Sequence, residues 1–462
     1  MSRLTTVELP VFGQSWERPS ISVTEYRQRI AALLQRMERS GLDIVVVYGD
    51  REHRANMAYL TGFDPRFEEA LLVLSASGRP LLIVGNECMG YLPDEGIGCD
   101  VALFQPFSLM GQPRDDSRPL REILAQGGVA EGTRVGCVGW KYLYREDLLP
   151  AGEGAIEIPS YIVDTLREMV GAGCAVTNAG ALLMDVEDGL RVSNSVDQIA
   201  CYEYAATRTS ESTLNVLRAI APGVSECELE KLLIGDGLTL SCHRMIGFGE
   251  KARRGLASPS DNRAQLGDAF TIGFGLEGAL SSRAGVVAED PEALSGALQT
   301  FYPAYVANYF DVVVGWYEAL DIGVRAGAVY DRAESLRDDA LSAFAVNPGH
   351  YLHLDEWVHS PFYAGSEIPL GSGMALQMDI IPVSKGPFCY SNGEDGIVLA
   401  DAPLRCELAD RYPQLWARVQ ARRAFMIDTI GIDLAESVLP LCNTPAWLPP
   451  YAMDLSKAMV KG

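Results

Sequence analysis

The stretch DAFTIGFGLEG, residues 268–278, decides which fold this chain can have. It satisfies the glycine pattern G-x-G-x-x-G directly after a strand-like run, the arrangement of a dinucleotide-binding turn. The residues that follow do not support that reading. If GVVAE (285–289) is the next strand, with Glu289 as the ribose-binding acid, six residues remain for the connecting helix. A parallel crossover needs about 10–12 or more. Two serines and an arginine in that gap are also a poor buried helix face. The stretch is therefore read as a glycine-rich strand and turn that lets backbone approach another part of the chain.

The composition sets the frame around this choice. The chain has 462 residues, 48% hydrophobic and 21% charged, which predicts two or three domains with a large core. A net charge of −23 makes nucleic acid an unsuitable partner, because an acidic surface repels phosphate. No apolar run reaches the ~20 residues of a membrane helix. The start, MSRLTTVELPVFGQSWERP, lacks the basic and apolar regions of a signal peptide. Ten cysteines occur singly, with no C-x-x-C pair, which predicts reduced and mostly buried thiols. The expectation is a cytoplasmic protein with no membrane contact.

Helix and strand signals divide the chain. Residues 1–20 read as an arm. Ser22 and Glu25 form a capping box ahead of the apolar face Ile30, Leu33, Leu34 and Met37. DIVVVY (43–48), the hairpin ALLVLSASGRPLLIVG (70–85) and RVGCVG (134–139) predict an α/β domain over residues 21–180. A second unit, 190–404, opens with the capping sequence SVDQ at Ser195, and SECE (225–228) caps a further helix. A long helical region covers about 298–343. Residues 268–289 and 348–400 are strand-like. Residues 405–462 form a helix and a Pro-rich arm, NTPAWLPPYAMD, which either clasps another subunit or braces its own core.

Two groups of residues carry a resemblance. MERSGLDIVVVYGDREHRANMAYLTGF, followed by an apolar hairpin, resembles the N-terminal domain of creatinase and aminopeptidase P. The later fragments APGVSECELE, LGDAFTIGFG, GHYLHLDEW, GSGMALQMDIIP and GEDGIVL occur in that family's order. The resemblance covers about residues 25–400. It implies an α/β fold class, with a creatinase-like N-terminal α/β domain followed by a C-terminal pita-bread (α+β) domain. Proline-specific metallopeptidases of this superfamily bind two metal ions through two Asp, one His and two acidic residues. Two Asp positions fall here on Gly273 and about Ala284, with no other carboxylate than Glu277 in 271–288. The remaining three match His350, Asp379 and Glu394.

The resemblance also implies chemistry without metal, since creatinase and ectoine hydrolase cleave C–N bonds of small amino-acid-like molecules on this scaffold. ASPSDNR (257–263) looks like the creatinase loop, but the proton-shuttling histidine falls on Ala257 and creatinase's extra Glu on Val286. His350 becomes the candidate proton shuttle, with Asp379 and Glu394 positioning or polarising the substrate or binding a cationic group. His359, in HSP, faces the pocket if this turn matches the family's second histidine turn; otherwise Trp357 takes that position. His353 is a candidate substrate contact, and with Asp355 and Glu356 it also reads as a solvated strand face. Arg66 sits where creatinase-like domains offer an arginine to the partner subunit's substrate carboxylate; the alternative is a surface ion pair with Glu68 or Glu69. The segment EKARRG (250–255) is a local basic patch.

Three functions follow as expectations. The first is a metal-independent hydrolase or lyase-like enzyme acting on a small amino-acid-like compound, needing no cofactor and working as a homodimer. The second is a metallopeptidase with one divalent ion, such as Mn or Zn, on His350, Asp379 and Glu394. The third is a binding protein that retains the fold without turnover.

Overall fold

The computed structural model describes residues 2–76, 78–143, 152–387 and 392–462, and it divides into two compact units. One is Ile21–Arg191; the other combines Met1–Ser20 with Val192–Gly462. The arm and the tail therefore belong to the second unit, and the first runs somewhat beyond residue 180.

The first unit is built on a six-stranded sheet. Its order is Asp100–Leu103, Leu81–Val84, Ala70–Ser75, Ile44–Gly49, Val135–Val138 and Val176–Asn178. Ile44–Gly49 is central and buried along its whole length, which explains the unbroken apolar run: both faces are covered, so no polar alternation is needed. One face buries Ile44, Val46 and Tyr48 against Ile123, Leu124, Ile162 and Leu166. The helix Val23–Arg39 is capped by Ser22, whose hydroxyl accepts the Glu25 N–H, and buries Leu33 and Met37.

The second unit centres on an antiparallel sheet of order His350–Tyr351, Ala375–Asp379, Gly393–Leu399, Ala279–Val286, Ala269–Leu276 and Met245–Phe248. The glycine stretch 273–278 is the end of one strand and the turn into the next. Ala269–Leu276 and Ala279–Val286 pair as a hairpin around Glu277 and Gly278, and Gly278 takes a positive φ of 91° that suits glycine at a tight turn. The helix Val196–Ala219 packs on this hairpin, with Thr209 Oγ1 2.9 Å from Ser281 Oγ. The cap at Ser195 is formed, and Ser225 and Glu228 form a complete capping box. The helical region after residue 298 resolves into Leu298–Glu318 and Ala326–Leu336.

The tail is a brace on its own unit. Val438–Pro440 adds a strand beside Gly393–Leu399, and Lys457–Val460 pairs with Arg3–Thr6, so the two ends of the chain hold each other. Behind the central strands lies a buried ion pair. Arg283 Nη2 meets Asp395 Oδ1 at 2.8 Å, and the guanidinium also donates to the Trp447 and Thr444 carbonyls. Asp395 accepts in addition from Cys442 Sγ and the Ala446 N–H. Of the nine cysteines among the described residues, only Cys88, Cys137 and Cys442 are buried, fewer than composition suggests, and none is in a disulfide.

Candidate functional site

Strand register builds the site. Across five strands, Met245 pairs with Gly273, Gly273 with Ser282, Ser282 with Glu394, and Glu394 with Asp379. Directly opposed residues share a face, so all five side-chain positions point the same way. Gln377, two residues before Asp379, lies on that face too, and His350 is its partner on the edge strand. Arg283 and Asp395, one residue along from Ser282 and Glu394, face the opposite side and meet the tail.

His350, Asp379 and Glu394 are brought together as the sequence predicts. His350 Nε2 lies 3.7 Å from Asp379 Oδ2 and 3.6 Å from Glu394 Oε1, and all three residues are buried. A fourth member was missed. Glu356 Oε1 is 3.2 Å from His350 Nε2, and Trp357 stacks on the imidazole with ring centroids 4.1 Å apart. The solvated-face reading of this segment is therefore corrected. The strand ends at Tyr351, and residues 352–358 form a loop that turns back, closed by the Tyr351 N–H to the His359 carbonyl at 2.7 Å. Glu356 folds over His350 instead of facing solvent, and its side chain stays one-quarter exposed.

His353 is also buried, its ring edge-on to Tyr202. Trp357 takes the position at the site that the sequence left open between it and His359, whose Nδ1 accepts the Ser360 N–H at 2.9 Å. Arg66 pairs with neither Glu68 nor Glu69. Glu68 accepts the backbone N–H groups of Glu87 and Cys88, Glu69 accepts from Tyr48 and Tyr161, and Arg66 Nη1 stands 3.4 Å from Asp64. In the basic patch, Lys251 is engaged by buried Glu226, which also holds Ser260 and Asn262 of the 257–263 loop.

Register also sets the position opposite Glu394. It is Ser282; Ala284 lies two residues further along, beside Tyr302, Tyr309 and Leu448. The two-residue turn of the hairpin sets this, and counting along the sequence does not reveal it. Cys242 is a further site neighbour without a motif. Its thiol approaches the face at Gly275 and is pushed up to about 12 by burial and by the charges of Glu356 and Glu394.

The electrostatics of the cluster are coupled. Burial works against charge on His350, yet Glu356, Glu394 and Asp379 outweigh it and raise its pKa well above the ordinary value. Asp379 is raised to about 7, first by burial and then by Glu356, against the opposing effect of His350. Glu394 is also raised, by burial and by Asp379. Glu356 goes the other way, because His350 outweighs its burial. No Arg or Lys among the described residues makes an ion pair with these three carboxylates.

A pH dependence follows. A group whose pKa is higher folded than unfolded binds more protons in the folded state, so stability falls as pH rises between the two values. For Asp379 that window runs from about 4 to about 7. Asp379→Asn is expected to flatten the decline in stability across it, measured by urea denaturation at several pH values. An unchanged slope would contradict the assignment.

The donor set limits the metal this site can hold. One ligand atom each from His350, Asp379 and Glu394 lie within 4.8 Å of one another, and His350 Nε2 and Asp379 Oδ1 have no hydrogen bond. These residues fit one divalent cation. They do not fit a pair, because Gly273 and Ser282 continue the row without a carboxylate and Met245 lies over Gly273: a Cβ there would come within 2.7 Å of its Cε.

Residues 29–141 match the family Creatinase/Prolidase N-terminal domain. Solved structures with a similar fold include dipeptidase PepE from Mycobacterium ulcerans, 19% identical, with 83% of this chain and 95% of that one covered and a TM-score of 0.62. Prolidase from Thermococcus sibiricus is 18% identical over 83% and 95%, with a TM-score of 0.64. The Xaa-Pro dipeptidase from Bacillus anthracis is 16% identical over 82% and 96%, with a TM-score of 0.60. No curated protein sequence matches. At these identities the likeness is one of fold. The chain carries a creatinase/prolidase N-terminal domain, and its second unit has the pita-bread fold of these peptidases. No helix among the described residues is long and apolar enough to cross a membrane.

Proposed function

We propose that this chain is a hydrolase that cleaves a C–N bond of a small amino-acid-like compound without a metal pair. The observation that carries the reading is the row Gly273–Ser282–Glu394–Asp379, in which only the last two positions hold carboxylates. The cluster offers carboxyl oxygens with no lysine or arginine paired to them among the described residues, and it suits a substrate bearing an ammonium or amidinium group, whose charge favours ionisation of Asp379 and Glu394. His350 Nε2, facing three carboxylates, is set to give its proton to the departing nitrogen. Glu356, ionised and partly exposed, takes a proton from the attacking water as the C–O bond forms and the C–N bond breaks. Asp379 and Glu394 hold the cationic group, and Gln377 Nε2 fixes Glu394 Oε1 at 2.9 Å. Arg66, more than half exposed, is proposed to reach a substrate carboxylate across a homodimer, in the cytoplasm.

The second reading is a peptidase of the Xaa-Pro type with one divalent ion, favoured by the three convergent donor atoms. Held by His350, Asp379 and Glu394, that ion would supply a Lewis acid for the scissile carbonyl. The test is hydrolysis of a panel of amino-acid amides and Xaa-Pro dipeptides by chelator-treated, tag-free protein. Turnover of a small amide that survives chelation supports the first reading. Dipeptide cleavage restored only by Mn or Zn would replace it with the second.

A further inference from the structure

Adjacent serines on the strand Ala279–Val286 have opposite fates. Ser281 faces the helix Val196–Ala219, where its hydroxyl meets Thr209 Oγ1. Ser282 faces the site, beside Glu394 on one side and Gly273 on the other. Its residue is 8% exposed, and among the described residues its hydroxyl has no hydrogen-bond partner. The groups around it are mainly acceptors. Glu356, Asp379 and Glu394 offer carboxylate oxygens, while both bonds of Gln377 Nε2 are committed, to Glu394 Oε1 and to the Leu280 carbonyl. Among the described residues the donors on this face are His350 Nε2, the Ser282 hydroxyl and, over Gly275, Ser241 Oγ and the Cys242 thiol.

A substrate held by its cationic nitrogen at the carboxylates still presents an oxygen, and an oxygen needs a donor. Met245 beside Gly273 offers none. We propose that Ser282 donates its hydroxyl to the substrate's carbonyl oxygen, fixing the scissile group next to Glu394 and stabilising the negative charge that develops there. The inference rests on the reading of the site as a C–N hydrolase and adds the residue that recognises the carbonyl. It selects substrates in which carbonyl and cationic nitrogen are close together, as in an α-amino amide.

The experiment compares two probes that differ in the carbonyl group. Glycinamide carries both ammonium and carbonyl; ethylammonium carries the ammonium alone. Affinities are measured by ligand-observed NMR titration of the full chain at fixed ionic strength, for the wild type, Ser282→Ala, Ser282→Thr and Ser241→Ala. Wild type is expected to favour glycinamide, and Ser282→Ala to shrink that preference by about fivefold, the worth of one hydrogen bond. Ser282→Thr, which keeps the hydroxyl, should retain the preference, and Ser241→Ala should leave it unchanged. A purely structural effect of the alanine would weaken both probes alike. An unaltered preference in Ser282→Ala overturns this inference and leaves the proposed function standing. Failure of both probes to bind wild type overturns the two together.

Discussion

Replacing His350 with alanine is expected to lower amide hydrolysis by about 10²–10⁴-fold, the usual share of a general acid. The size follows from the isolation of the group. His350 is fully buried, and its Nε2 is the nitrogen that faces Glu356, Asp379 and Glu394 at 3.2–3.7 Å. No lysine or arginine among the described residues pairs with these carboxylates, so no basic side chain takes over its positive charge. Without it the carboxylates repel one another and bind protons themselves. Wild-type and mutant kcat/KM on the best amide of the panel check this. A loss of less than about tenfold would remove His350 from the proposed chemistry.

Asp395→Ala is expected to destabilise the second unit by about 3–5 kcal/mol, because it strands a buried guanidinium. Arg283 and Asp395 are each 1% exposed, and the pair joins the strands that carry Ser282 and Glu394 to the tail carbonyls of Thr444 and Trp447. Replacing both together, as Arg283→Met with Asp395→Leu, should cost much less, since no unpaired charge remains. Urea denaturation of the three proteins measures the difference. Equal losses for the single and double variants would show that packing, not charge, governs this position. Because both residues are sequence neighbours of site residues on the reverse face, the single variant should also blunt binding at the site.

How much of this was legible in sequence depends on which physical signal was needed. The six-residue gap after Gly278 ruled out a crossover helix, and the hairpin followed. His350, Asp379 and Glu394 were found because each sits in a recognisable local pattern on a strand. Glu356 was not. Its role depends on where the strand stops, and residues 352–358 carry no glycine or proline to mark the reversal. Ser282 was hidden for a different reason. Alternation gives the face of a residue but not its cross-strand partner, and the turn at Glu277 and Gly278 fixes that register. The tail's role could not be chosen from its apolar residues alone, since a brace and a clasp need the same composition. Cys242 carries no motif, and only the close approach at Gly275 brings it to the site.

The central proposal is that the site of His350, Asp379 and Glu394 works without a metal pair. The measurement that tests it most directly is the metal content of tag-free protein by elemental mass spectrometry, before and after loading with Mn, Zn, Fe and Co, with His350→Ala alongside. The account predicts no stoichiometric metal in either protein as purified, and after loading at most the single ion that His350, Asp379 and Glu394 fit. Near-stoichiometric metal in the wild type as purified that disappears in His350→Ala, or two equivalents after loading, would contradict it.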